Sequence, residues 1–257
     1  MSVPPVAAAK WLGIPTFTHE SDFDPGLATR LNLKLGARPL LAYEETKAYL
    51  SAANQKQVSV VGNPIRDALF SGSVEEGRRL AGLAPDDSRP LLFVMGGSQG
   101  AREINDLITQ SLDQLLEHVA IVHQFGEGNS QVQARPGYLP LPFIHNELPH
   151  FLAAANLAVA RSGASAVWEL AATKTPAIYV PLRSSSRGDQ IRNALRAEKA
   201  GISKTLPEGA SWEDFVSLVL ALSQDQVQLE SMTKNLTAYP ARDAADTIVK
   251  ILGTVLT

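Results

Sequence analysis

Leu91-Leu92-Phe93-Val94-Met95 is an unbroken apolar run, which predicts a strand buried on both faces. It leads directly into Gly96-Gly97-Ser98-Gln99-Gly100-Ala101. Beyond the glycines, Ile104, Leu107, Ile108, Leu112, Leu115, Leu116 and Val119 recur at spacings of three and four, the pattern of an amphipathic helix. Strand, glycine turn and helix together bring a helix N-terminus, with its unpaired N–H groups and partial positive charge, to a place where a phosphate can sit. An ordinary strand-to-helix turn that binds nothing has the same pattern. The order G-G-S-Q-G is not the dinucleotide fingerprint G-x-G-x-x-G, which counts against an NAD site.

The same alternation runs along the rest of the chain. Val6–Leu12 predicts a helix stopped by Gly13, and Ile14–Thr18 a short strand whose C-terminal end carries His19-Glu20-Ser21-Asp22. Leu27–Lys34 reads as a helix, and Pro39–Ala42 and Val58–Val61 as strands. Gly62-Asn63-Pro64 is a strong turn signal and a candidate domain boundary. Residues 67–90 hold a helix and a polar loop. Further strands are expected at Ala120–Gln124, Leu157–Ala160 and Ala177–Pro181, with an extended segment over Leu139–Ile144. Helices are expected at Glu147–Ala155, Ser165–Thr173, Asp189–Gly201, 212–222, 225–236 and Ala244–Leu252. Strands alternating with helices of these lengths predict an α/β protein with a parallel sheet covered on both sides.

Composition narrows the chemistry. The 257 residues are 45% hydrophobic and 19% charged, enough apolar material for one large core or two smaller ones. The absence of cysteine excludes a disulfide framework, a thiol nucleophile and a cysteine metal site. A net charge of −3 gives no electrostatic reason to expect a nucleic-acid partner. No apolar run reaches the roughly 18 residues of a spanning helix, so the expectation is a cytoplasmic protein with at most a peripheral membrane contact.

Several turns follow strands in a way that could converge on one crevice. The second key stretch is Arg161-Ser162-Gly163-Ala164, with Glu169 about a turn and a half past the glycine. A carboxylate there can accept two hydrogen bonds from a ribose diol; a surface helix glutamate is the plainer reading. His118, His123 and His150 read as ordinary structural or surface histidines, His145 as solvated, and Trp168 as helix packing rather than base stacking. Arg183 and Arg187, flanking a serine run, fit a phosphate clamp or a solvated loop equally.

Gly62-Asn63-Pro64-Ile65-Arg66, Gly96–Ala101, Phe143-Ile144, Arg161–Ala164 with Glu169, and Gly188-Asp189-Gln190-Ile191-Arg192-Asn193-Ala194 occur in this order. Together with His19-Glu20-Ser21-Asp22 they resemble the MurG family, which transfers N-acetylglucosamine from UDP-N-acetylglucosamine to undecaprenyl-linked lipid I, giving lipid II for peptidoglycan. The resemblance covers essentially the whole chain. It implies a GT-B fold, with a Rossmann-like donor domain at 67–240. An incomplete Rossmann-like acceptor domain would occupy 1–66, joined by the helix of 241–257. It implies that Ser98 and the amides of the Gly96–Gly100 turn, Gly97, Gln99 and Gly100 among them, meet the donor diphosphate, with Arg66 nearby; Arg161, at a strand end beside a glycine turn, is a candidate ligand-facing residue from its position. The backbone of Ile144 would read the uracil edge and Glu169 would hold the ribose hydroxyls. Ala164, Asp189, Gln190 and Asn193 would lie near the phosphates and the sugar, and His19, Glu20 and Asp22 on the acceptor side. No cofactor and no metal are implied, so helix ends and arginine carry the charge of the leaving diphosphate. The expected place is the cytoplasmic face of the cell membrane, held peripherally.

The sequence departs from that family in three places. Asp22 stands where many members have asparagine, and Asp189 where many have glutamine. The family's first glycine-rich loop, of G-G-T-G-G-H type and bearing a histidine proposed to act in catalysis, has no match here, so no residue is assigned as the catalytic base. A chain starting in mid-domain would expose apolar sheet surface, so poor solubility is expected. The alternatives are a non-catalytic nucleotide-sugar-binding module, or another GT-B-like UDP-sugar enzyme such as an epimerase. An oxidoreductase is disfavoured by the glycine spacing.

Overall fold

The computed structural model describes residues 2–97, 99–128, 133–183, 188–238 and 243–255. The chain divides into two compact units, Met1–Ile65 with Tyr239–Thr257, and Arg66–Ala238. The first unit holds α1 (Val3–Trp11), β1 (Phe17–Glu20), α2 (Leu27–Lys34), β2 (Arg38–Leu41), the short α3 (Ala52–Gln55) and β3 (Ser59–Val60). Its strands form a parallel sheet in the order β1-β2-β3, with His19 opposite Leu40 and Leu41 opposite Val60.

The second unit begins with a 3-10 turn, Asp67–Ser71, and α4 (Val74–Leu80). It continues through β4 (Leu91–Met95), α5 (Arg102–Leu116), β5 (Ala120–Gln124), β6 (Tyr138–Leu141), α6 (Leu148–Ala154) and β7 (Leu157–Ala160). Next come α7 (Ala164–Ala172), β8 (Ala177–Tyr179), α8 (Asp189–Lys199), β9 (Ser203–Thr205), α9 (Trp212–Gln224) and α10 (Gln226–Leu236). The last helix, α11 (Ala244–Gly253), belongs to the first unit. The six strands run parallel in the order β6-β5-β4-β7-β8-β9. The chain therefore leaves the sheet centre in one direction and then the other, and the reversal falls between β4 and β7. In such a sheet the crevice outside the carboxyl ends of those two strands is where ligands bind.

β4 needs apolar residues at every position because it is covered on both sides. Leu92 and Val94 join one core with Ile104, Ile108 and Leu112 of α5 and Phe215 and Val219 of α9. Phe93, pointing the other way, stacks on Phe151 of α6 with ring centroids 6.2 Å apart. On that second face α4 lies backbone to backbone on α6: a Cβ at Gly77 would stand 2.1 Å from the His150 carbonyl oxygen. Gly77→Ala is expected to destabilise the second unit by about 1–3 kcal/mol through overpacking, although alanine is the better helix former. A urea unfolding midpoint at or above wild type would contradict that close approach.

Several elements differ from the sequence expectation. The first strand runs Phe17–Glu20 rather than Ile14–Thr18, so His19 and Glu20 lie within it, and the 3-10 turn Glu44–Tyr49 and α3 were not foreseen. β9 was not foreseen: Ser-Lys-Thr has no apolar alternation and becomes a strand by pairing with Ala177–Tyr179. The extended segment over 139–144 pairs only as far as Leu141, and its Pro140 is tolerated because β6 lies at the sheet edge. The region 67–90, expected to hold a helix and a polar loop, also carries the 3-10 turn ahead of α4.

Candidate nucleotide-binding crevice

Within the second unit, four helices that follow strand ends at this edge start without a side-chain cap: α5 from Ala101, α6 from Glu147, α7 from Gly163 and α8 from Gly188. By contrast, Ser73 caps α4, Ser211 caps α9 and Asp225 caps α10. Uncapped first turns leave N–H groups and the positive end of the helix dipole to other acceptors. The glycines of the β4–α5 turn are required by the backbone. Gly97 and Gly100 have φ of 75° and 74°, where side chains are strained. A Cβ on Gly96 would lie 2.5 Å from the Gln124 carbonyl oxygen, and one on Gly126 would lie 2.1 Å from the Gly100 nitrogen. Ser98 lies outside the described residues, as do Ser184–Arg187. Gln99 is exposed on the turn.

On α7, the Glu169 side chain is only 20% exposed, and its Oε1 lies 3.5 Å from an Arg66 guanidinium nitrogen. Burial pushes its carboxyl above the ordinary value, and Arg66 pulls it partly back. Arg66, 69% exposed, contributes little stability through so open a pair. Ala164 opens α7, half-buried. Trp168 is fully buried beside Glu169, so it packs the helix rather than presenting a face to a base.

Ile144 is buried after the end of β6, and its backbone N–H donates to Gln124 Oε1 at 3.2 Å. Beneath it, a hydrogen-bonded chain links β6, β5 and α5. Asn105 Nδ2 donates to the Phe125 carbonyl at 2.9 Å, so its Oδ1 accepts from His123 Nε2 at 3.0 Å. His123 Nδ1 then accepts from the Tyr138 hydroxyl at 2.9 Å. His123 is fully buried, and desolvation lowers its pKa to about 4. It is the structural histidine expected from sequence; His118 and His145 are exposed, and His150 Nδ1 accepts from the Ser73 N–H.

The residues around β7 brace one another. Arg161 Nη1 donates to Glu103, in the first turn of α5, at 2.6 Å and to the Val180 carbonyl at 2.9 Å. It thus ties the ends of β7 and β8 to the start of α5. Ser162 Oγ donates to the Gln190 carbonyl, and Asn193 Nδ2 donates to the Ser162 carbonyl at 3.1 Å. Gln190 Oε1 accepts from the Leu182 N–H at 2.9 Å, and Asp189 pairs with Arg192. Gln190 and Asn193 therefore dock α8 on the β7–α7 turn.

In the first unit, His19 Nε2 donates to the Gly62 carbonyl at 2.9 Å. Glu20 is buried, and its two oxygens accept the Asp22 and Gly26 N–H groups, holding the loop that starts α2. Asp22 is half-buried in that loop. Sequence reading missed Gln124, Asn105 and Glu103. Gln124 carried the same signal as His19 and Glu20, a polar residue at the carboxyl end of a parallel strand.

Two units with parallel sheets, the second doubly wound with a glycine turn at its switch point, have the architecture of the GT-B class, the fold of the solved structure that superposes on the chain. Residues 91–248 match the glycosyltransferase family 28 C-terminal domain. The chain is 44% identical over 220 residues to a UDP-N-acetylglucosamine–N-acetylmuramyl-(pentapeptide) pyrophosphoryl-undecaprenol N-acetylglucosamine transferase of Treponema denticola, covering 80% of this chain and 56% of the relative. It is 36% identical over 254 residues to the protein of that name in Geobacillus kaustophilus, covering 96% and 69%. The crystal structure of Acinetobacter baumannii MurG superposes with a TM-score of 0.77 at 22% identity, over 98% of this chain and 70% of that one. The chain belongs to this MurG family of N-acetylglucosamine transferases. It spans 53–56% of the length of the Treponema relatives. Among the described residues, no helix is long and apolar enough to cross a membrane.

Proposed function

We propose that this chain carries the nucleotide-sugar site of an inverting N-acetylglucosaminyltransferase that uses UDP-N-acetylglucosamine and glycosylates lipid I to give lipid II. The observation that carries the reading is the partly buried Glu169 on α7, in the helix that starts uncapped at the switch point. In this reading residues 67–240 bind the donor. Residues 1–66 and 241–257 belong to the acceptor side, with His19, Glu20 and Asp22, at the cytoplasmic face of the membrane. Glu169 accepts the ribose hydroxyls, and the Ile144 backbone meets the uracil edge. The first amides of α5 and α7, with Gly97, Ser98, Gln99, Gly100 and Ala164, receive the diphosphate. Arg66 and Asp189 stand at its margin, while Arg161, Gln190 and Asn193 hold the crevice walls in register.

The chemistry follows from what such a site can supply. The acceptor hydroxyl oxygen forms a bond to the anomeric carbon from the face opposite the diphosphate. The bond from that carbon to the diphosphate oxygen breaks, and the hydroxyl proton leaves to a base. UDP departs with the negative charge that helix ends and arginine stabilise. The test is calorimetric titration with UDP-N-acetylglucosamine, UDP, dTDP and NAD, followed by transfer of labelled sugar to lipid I. Selective uridine binding with transfer is the expected result. Binding without transfer identifies a nucleotide-sugar-binding module, and tight NAD binding overturns the reading.

A further inference from the structure

We propose that Gln124 sets the affinity of the donor-base subsite by acting as an internal competitor for its backbone donor. Its carboxamide holds the Ile144 N–H in the free protein and yields it to a base that presents a carbonyl oxygen there. The proposal rests on the reading above that the Ile144 backbone meets the base.

The buried Ile144 N–H must have a partner in any stable state. In the free protein that partner is Gln124 Oε1, at 3.2 Å, the long end of the N–H···O range. The backbone of Gln124 is fixed on both sides. Its carbonyl accepts the Gly96 N–H at 2.9 Å, and the next residue's N–H, that of Phe125, donates to Leu141 at 3.0 Å. Only the side chain is therefore positioned to give way. One residue thus braces the glycine turn through its carbonyl and occupies the base-edge donor through its carboxamide.

An incoming uracil brings a carbonyl oxygen to the same N–H, exchanging one amide-type acceptor for another with no change in the number of hydrogen bonds. With uracil O4 as the oxygen at that N–H, cytosine brings an amino group to the equivalent ring position. Two donors then face each other, the exchange fails, and Gln124 keeps the N–H. Uracil alone binds against the internal acceptor, so its apparent affinity is reduced by the fraction of protein in which Gln124 holds the N–H, and the gap between uracil and cytosine is narrowed by the same factor.

The experiment is calorimetric titration of UDP and CDP into wild type, Gln124→Leu and Gln124→Met, with thermal unfolding of each in the presence and absence of UDP. Leucine and the more adaptable methionine remove the competitor; the second guards against a packing failure in the first. UDP affinity is expected to rise about 3- to 10-fold, the worth of one net hydrogen bond. CDP affinity should stay unchanged, so selectivity rises by the same factor. The unliganded variants should unfold at lower temperature, with a larger upward shift on adding UDP than in wild type. If wild type binds UDP and the folded variants bind it equally or more weakly, the proposal falls and the donor reading survives. If wild type binds no UDP, both fall.

Discussion

Replacing Glu169 by alanine is expected to weaken UDP and UDP-N-acetylglucosamine binding by about 30- to 1,000-fold while leaving the fold intact. A carboxylate accepting two ribose hydroxyls contributes roughly 2–4 kcal/mol in charge-assisted hydrogen bonds. Those bonds require the ionised form. Burial raises the Glu169 carboxyl, so affinity should decline with falling pH earlier than an ordinary glutamate would dictate. Glu169→Gln should abolish that pH dependence and lose less affinity than alanine, because an amide oxygen still accepts one hydroxyl. Stability should change little: the Arg66 pair is long and open on the arginine side. Titrations at pH 7.5 and 5 decide the matter. Unchanged affinity in the alanine variant would remove Glu169 from the ribose site.

The second unit should also lose stability in acid through His123. The imidazole is buried and neutral, with its pKa lowered from 6.5 to about 4. The unfolded chain takes up a proton near pH 6.5, and the folded chain only near pH 4. The stabilisation is therefore complete above pH 6.5 and is lost progressively as pH falls towards 4, to a total of about 3 kcal/mol. His123→Leu should flatten this acid limb. It should also be less stable than wild type at pH 7, because the Tyr138 hydroxyl and Asn105 Oδ1 lose their shared partner. Urea midpoints at pH 7, 6 and 5, followed by tryptophan fluorescence, to which Trp168 and Trp212 of the second unit contribute, measure the difference. Parallel pH profiles for the two proteins would show that His123 does not carry the effect. Because Asn105 also bonds the Phe125 carbonyl, one residue before Gly126, the same network holds the glycine turn's neighbour in place.

Local physics is legible in the residues alone. An unbroken apolar run can only be a strand covered on both faces or a buried helix, and Gly96 at its end decides for the strand. The period of Ile104, Leu107, Ile108 and Leu112 defines α5 and its buried face without reference to a neighbour, and the structure places these residues in the main core. The order of the strand and helix patterns already implied a parallel sheet, since each strand is followed by a crossover. Its strand order, and so the switch point, came from the pairing.

What the sequence by itself determined is therefore most of the helices and strands, the glycine turn and the family. Each of these depends on periodicity, backbone freedom or ordered short patterns along one stretch of chain. Tertiary structure alone decided the partnerships. Ser203–Thr205 becomes a strand because β8 offers an edge. Glu169 changes from a surface helix residue to a partly buried carboxylate that meets Arg66, far away in sequence. Arg161 becomes a brace because Glu103 and Val180 converge on it. Gln124 reaches Ile144 across the β5–β6 pair, where nothing in the spacing of twenty residues announces a contact. Burial and hydrogen-bond partners are properties of which segments meet, and a side chain's chemistry depends on both.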